Sequence, residues 1–370
     1  MNASIQGTTD PRFAAVRDAF AANFEDGLDQ GAAFAVVSDG RLIVDLWGGR
    51  ADAAGGRPWA RDSLVNVWST TKGVVALAMA MLVERGTLDY EAPVARYWPE
   101  FAAGGKGDMT VGCMLSHQGG LVGCDKPMTL DDLYRGKPFV DCLAAMTPLW
   151  PPGEECAYHA LTYGHLAGEL LRRIDGRTIG AFIAEEIAGP LDAAFYLGLP
   201  EAEDGRVVDL IAGPGSDDLT KRADERLYSR ISYRNPVAHP AMASERAWRA
   251  AEIAGGNGQS DALGMARIFG AMDRLLSPDT LAAAAAERFR GKEAAFDLPI
   301  AFGAGFMLNL DGLFGPSLRA FGHSGWGGSF AFFNPDAGLG VAYVMNRMLG
   351  FGDDIDPRNI RLLNALYGAL

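Results

Sequence analysis

The stretch Leu64-Val65-Asn66-Val67-Trp68-Ser69-Thr70-Thr71-Lys72-Gly73-Val74 decides how this chain reads. A short apolar run enters a strongly helical one, Gly73 to Arg85, and Ser69 and Lys72 stand at the junction. Two residues three apart at a helix start lie on one face, one turn apart. Burial and the positive helix N-terminus both disfavour a charged lysine there, so its amine can take the serine proton. The serine becomes a nucleophile, and its own N–H at the same helix end can stabilise an oxyanion. Acyl transfer through an acyl-serine, without histidine as base, is the chemistry this suggests. Ser-Thr-Thr is also an ordinary helix N-cap, so residues elsewhere in the chain have to decide.

Outward from this junction, the two ends of the chain read alike. Phe13, Val16, Phe20 and Phe24 recur at helical spacing. Ala32 to Ser38 and Arg41 to Trp47 are strand-like, with the hairpin signal Asp39-Gly40 between them. Near the C-terminus, Phe302 to Leu310, Ser329 to Asn334 and Leu339 to Met345 read as strands. The turn Asn334-Pro335-Asp336-Ala337-Gly338 joins the last two, and Pro357 to Leu370 closes as a helix. The middle, Gly73 to Glu293, gives mainly helices and loops, among them Val74 to Arg85, Gly164 to Ile174, Ile179 to Ile187 and Leu281 to Arg290. The expected fold is α/β in the α+β sense. An antiparallel sheet built from residues 1–72 and 294–370 is flanked by helices, residues 73–293 form an inserted helical region, and the active site lies in the cleft between.

Two further segments bear on the site. Pro151-Pro152-Gly153 forces a loop that places Tyr158 ahead of a helix starting near Ala160. A tyrosine aimed into a cleft can relay a proton; it can equally be a packed aromatic. Phe321-Gly322-His323-Ser324-Gly325-Trp326-Gly327-Gly328 sets glycines in a strand-rich region. That suits close approach of a ligand or backbone, as an oxyanion-hole strand requires, or a bulge or tight turn between edge strands.

Taken in order, these three elements resemble the serine β-lactamase/penicillin-binding protein superfamily, nearest to the family VIII carboxylesterases and class C β-lactamases, over nearly the whole chain. Ser69-Thr70-Thr71-Lys72 is similar to the family's first motif, and Pro152-Gly153 precedes Tyr158 at the family spacing. His323-Ser324-Gly325 stands where that fold has Lys-Thr-Gly, and Trp326-Gly327-Gly328 resembles the esterase branch. Met114-Leu115-Ser116-His117-Gln118-Gly119-Gly120-Leu121 is similar to a Leu-Leu-Ser-His-Thr-Ser-Gly-Leu segment common there. The resemblance implies Ser69, Lys72 and Tyr158 as catalytic residues and the N–H groups of Ser69 and Trp326 as the oxyanion hole. It also implies substrate contacts from His323, Ser324, Gly325 and Trp326. Position 160 is Ala where class C enzymes carry an amide, and His323 replaces the lysine that holds substrate carboxylates. Both departures point towards small neutral esters. An exposed His323 would charge as the pH falls towards 5.5 and narrow that preference.

Other readings stay in view. An acyltransferase or an amide or β-lactam hydrolase could use the same machinery, and a binding module could keep the fold without the activity. Cys113-x3-His117 with Cys156-x2-His159 has zinc-like spacing, and the same residues could form a Cys–His nucleophile pair. No Gly-x-Ser-x-Gly elbow or phosphate loop occurs. The expectation is therefore no metal and no cofactor. The net charge of −13 argues against nucleic acid or an anionic membrane as partner. No apolar run approaches the roughly 18 residues of a membrane span. The polar N-terminus lacks a signal-like core, and the four cysteines, Cys113, Cys124, Cys142 and Cys156, read as free thiols. Together these suggest a cytoplasmic protein. Oligomeric state is not legible. Trp68, Trp150, Phe302 and Trp326 are candidate acyl-pocket aromatics, most of them expected in the core.

Overall fold

The structure is a computed structural model that describes residues 4–216, 221, 226–350 and 356–370. Among these, nine strands make one sheet: β1 Gln6–Thr9, β2 Gly31–Ser38, β3 Arg41–Gly49, β4 Phe289–Glu293, β5 Leu298–Phe302, β6 Met307–Leu308, β7 Phe321–Ser324, β8 Phe330–Asn334 and β9 Leu339–Met345. Their order across the sheet is β1-β3-β2-β9-β8-β7-β6-β5-β4, and every pairing is antiparallel. The two ends of the chain therefore meet at β2 and β9, where Ala35 pairs with Ala342. The β2–β3 hairpin turns at Asp39 and Gly40, with φ of 47° and 76°, the paired positive values of a type I′ turn.

Five helices matter for the site: α1 Ala14–Glu25, α2 Thr71–Glu84, α3 Thr162–Asp175, α4 Ala262–Phe269 and α5 Pro357–Tyr367. Helices cover both faces of the sheet. Gly340 of β9 abuts Gly270 at the end of α4, whereas Tyr343, three residues on, meets the Arg358 guanidinium of α5. Alternate strand residues point to opposite faces, so α4 and α5 lie on opposite sides. This explains why all seven residues of β9 are buried. Helix α2 is apolar all round and wholly interior from Thr71 to Leu82.

The structure revises three expectations. Leu281 to Arg290 is not one helix: a helix spans Pro278–Ala285, and Phe289–Glu293 is strand β4. The Ala-Glu-Arg composition favours helix locally, but Phe289 to Glu293 alternates in burial and pairs residue by residue with Leu298 to Phe302. Tertiary pairing overrides the local preference. Phe302 to Leu310 is likewise broken, with β5 ending at Phe302 and only Met307–Leu308 extended. The third concerns Gly325 to Gly328. These residues form a tight turn between β7 and β8, strands in the sheet interior and not at an edge.

Candidate active site

Ser69 lies in a single 3-10 turn, Trp68–Thr70, that feeds α2. Trp68 takes φ of 48°, a left-handed conformation that a bulky residue adopts only under constraint. The constraint is visible around it. Its indole packs between Trp248 (5.5 Å) and Trp326 (5.0 Å), and the turn is tied to β8 through Ser329. Ser329 Oγ donates to the Val67 carbonyl (2.8 Å) and lies 2.9 Å from Thr70 Oγ1. A Cβ on Gly325 would sit 2.3 Å from that same carbonyl, so only glycine lets the two segments approach.

Lys72 is fully buried. Its Nζ lies 3.1 Å from Ser69 Oγ, 2.8 Å from the Ala160 carbonyl and 2.5 Å from the Gly255 carbonyl. Burial holds its amine well below the usual lysine range. A neutral amine has two N–H donors and one lone pair; two carbonyls accept the donors, which leaves the lone pair for the serine hydroxyl. Position 160 thus serves the lysine through its backbone oxygen, whatever side chain stands there.

Tyr158 is half-buried and lines the same cavity as Ser69. Burial raises its pKa, so the ring stays protonated. Lys72 Nζ is 4.8 Å from the Tyr158 ring centre. Sequence reasoning therefore named three residues that the fold does bring together.

The turn after β7 supplies the other wall. Gly325 N–H donates to Ser329 O (2.7 Å) and Gly328 N–H to Gly325 O (3.1 Å). The backbone N–H groups of Ser69 and Trp326 have no acceptor among the described residues, so both remain free to donate to a bound oxyanion. Gly328, at φ of 121°, is pressed against Arg358, which leaves 2.2 Å for any Cβ. Arg358 is wholly buried and donates to the Gly327 carbonyl (2.6 Å), while Asn359 Nδ2 donates to the Gly328 carbonyl (3.1 Å). Helix α5 thereby holds the turn from behind.

Ser69, Tyr158, His323, Ser324 and Trp326 line one small pocket of about 80 Å³. Gly325 does not line it; its place is the contact with Val67 described above. Of the four candidate aromatics only Trp326 reaches the pocket: Trp68 lies beneath it, Trp150 packs on Tyr228, and Phe302 stacks against Tyr158.

His323 corrects an expectation. It is buried, not exposed, and its Nδ1–H donates to the Ser324 carbonyl (2.7 Å). Burial, with Lys72 acting in the same direction when charged, pushes its pKa down to about 3. Lowering the pH to 5.5 therefore leaves it neutral, because the desolvation cost of an imidazolium exceeds what one carbonyl returns.

Several pocket residues escaped the sequence reading. Tyr233, Phe296, Leu298, Ile300 and Met307 complete the lining, as does Glu293. The Glu293 carboxylate accepts from the backbone N–H groups of Tyr158 (3.0 Å), Ala295 (2.9 Å) and Phe296 (2.7 Å), and burial raises its pKa. A lone Glu ahead of Ala294-Ala295-Phe296 was the only available signal. The zinc-like residues go elsewhere: His159 Nε2 accepts from Leu121 N–H (3.0 Å), His117 Nδ1 accepts from His159 N–H (3.1 Å), and all four cysteines are free thiols. Among the described residues no group of three or more His, Cys, Asp or Glu side chains is placed to hold a metal ion. No helix among them is long and apolar enough to cross a membrane.

The β-lactamase family profile matches residues 20–365. The chain belongs to the β-lactamase family. Among its relatives is the esterase/β-lactamase LipL of Mycobacterium tuberculosis, 37% identical over 363 residues that cover 93% of this chain and 83% of LipL. The solved structure of a family VIII carboxylesterase superposes with a TM-score of 0.93 at 41% identity, covering 99% of this chain and 100% of that one. A penicillin-binding protein homolog from Caulobacter crescentus matches at 0.90 and 41% over the same shares. This β-lactamase-family fold is the helix-flanked antiparallel sheet expected from the sequence.

Proposed function

We propose that this β-lactamase-family protein is a serine carboxylesterase that cleaves small neutral esters through an acyl-serine intermediate. One observation carries the reading: Ser69 Oγ stands 3.1 Å from the amine of a wholly buried lysine whose other two contacts are carbonyls. Ser69 attacks the ester carbonyl, and Lys72, neutral in its site, takes the proton. The N–H groups of Ser69 and Trp326 receive the developing negative charge on the carbonyl oxygen. Tyr158, which shares the pocket with Ser69, passes a proton to the departing alcohol. The Lys72/Tyr158 pair then activates water, which releases the acid and restores the serine.

The substrate class follows from the lining. The pocket is small and mostly apolar, and His323 presents a neutral ring where a cation would hold a carboxylate. The substrate enters between the sheet portion, residues 1–72 and 294–370 together with strand β4, and the helical portion, residues 73–288. The free thiols support action in a reducing compartment such as the cytoplasm. The names of the relatives agree with ester hydrolysis, and that of LipL adds β-lactams as a second activity to test. A panel of neutral esters differing only in acyl length, run beside penicillins and cephalosporins, tests the proposal. The best short-chain ester should be turned over at least about a hundredfold more efficiently than any β-lactam, roughly the scale of a lost ionic contact in a dry site. Comparable turnover of the two classes overturns it.

A further inference from the structure

The segment that carries Tyr158 has no helix or strand hydrogen bonds of its own, yet each of its amides is taken. Ala157 N–H donates to the His117 carbonyl (3.2 Å) and His159 N–H to His117 Nδ1 (3.1 Å). Tyr158 N–H donates to Glu293 and Ala160 N–H to Ser232 Oγ (3.3 Å). One residue, His117, thus holds the amides on either side of the tyrosine, one through its backbone and one through its ring. That ring also packs on the Tyr158 ring, with centroids 4.8 Å apart, and on Phe302 at 4.5 Å. His117 is fully buried and does not line the pocket, so it cannot touch substrate.

From this geometry we infer that His117 is the positioning residue for Tyr158, fixing its phenol against Ser69; the inference rests on the catalytic role proposed for Tyr158 above. Three features fit it. His117 takes φ of 64°, a left-handed conformation stable only where the surroundings enforce it, and this turn lets one residue present both carbonyl and ring to the same segment. Nδ1 accepts a hydrogen bond, so the neutral ring carries its proton on Nε2, and protonation of Nδ1 would cost the contact. Burial, with His159, Lys72 and His323 around it, keeps the ring neutral at working pH. The Ser116-His117 segment, matched in sequence without a role, acquires one.

The test compares His117→Asn with His117→Leu. Asparagine tolerates a left-handed backbone and puts its Oδ1 where Nδ1 stands; leucine keeps bulk but offers no acceptor. For a neutral short-chain ester, His117→Leu should lower kcat by on the order of tenfold or more with KM within about threefold, the cost of a misplaced group. His117→Asn should stay within about threefold of wild type. In the Tyr158→Phe background His117→Leu should cost under about threefold, because the phenol it positions is gone. Losses that multiply in the double variant, or equal losses in Asn and Leu, overturn the inference. Should His117→Leu not fold, His117→Gln takes its place, since its amide oxygen sits one bond too far. A silent Tyr158→Phe overturns the tyrosine mechanism itself and the positioning role with it. Hydrogen exchange at Ala157 to Ala160 separates the two failures: amides that stay fully protected in His117→Leu refute the clamp whatever the kinetics.

Discussion

The pocket at Ser69 and the groove along α3 differ about tenfold in volume, roughly 80 against 890 Å³, and the smaller one holds the unsatisfied chemistry. The groove is lined by charges that answer one another: Lys137 pairs with Asp141 at 2.6 Å, Arg172 with Glu169 at 2.8 Å, and Arg173 with Glu100 at 2.8 Å. At the pocket, Ser69 meets a buried lysine that has no carboxylate partner among the described residues, two backbone N–H groups without acceptors among them, and a tyrosine on the same wall. Satisfied charges stabilise a surface and do little else. Groups kept short of partners in a dry site are poised for a bound substrate, and their perturbed pKa values report it.

The largest effect expected is at Ser69. Ser69→Ala should abolish ester hydrolysis and remove the single adduct formed with a fluorophosphonate; an adduct that persists on intact mass moves the nucleophile elsewhere. Lys72→Met and Tyr158→Phe should each lower kcat by on the order of 10² or more. Lys72 also leaves a mark on stability. Its folded pKa lies below its unfolded value near 10.4. Between the two values the unfolded chain binds the extra proton, so the lysine's contribution to stability rises with pH until both states are neutral. Wild-type Tm relative to Lys72→Met should therefore climb from pH 6 to pH 9; a flat difference would mean a lysine that is charged in the fold.

Gly328→Ala sharpens the contrast from the side of the turn. Its Cβ would meet Arg358 in a backbone region hostile to side chains, and a loss of about 1–3 kcal/mol is expected in denaturant titration, with a fall in kcat as Trp326 shifts. A smaller effect concerns His323. Because its pKa lies near 3, the ratio of kcat/KM for a neutral ester to that for its carboxylate-bearing analogue should stay within about twofold between pH 7.5 and 5.5. A clear fall in that ratio would reveal a protonated imidazole. The smallest change belongs to the groove, where Lys137→Ala should leave kcat/KM within about twofold and Tm within about 1 °C. A large loss there would end the contrast between the two cavities.

The sequence alone determined the hairpin at Asp39-Gly40, the strands at Ser329 to Asn334 and Leu339 to Met345, the closing helix, and the pairing of Ser69 with Lys72; Tyr158 came from the family resemblance. The first four carry a local signature: left-handed turn residues, apolar periodicity, or a fixed spacing at a helix start. Only the tertiary structure decided the rest. Strand β4 hides in a helix-favouring run because its state depends on a partner strand. Glu293 and Ser232 reach the Tyr158 segment from far along the chain, and the carbonyls of Ala160 and Gly255 serve Lys72 whatever side chain stands there. His323 reads as a titratable imidazole in sequence, but depth in the fold fixes its charge. Spacing is a property of the chain; burial and backbone contacts between distant segments are properties of the packed molecule, and they set the site's electrostatics.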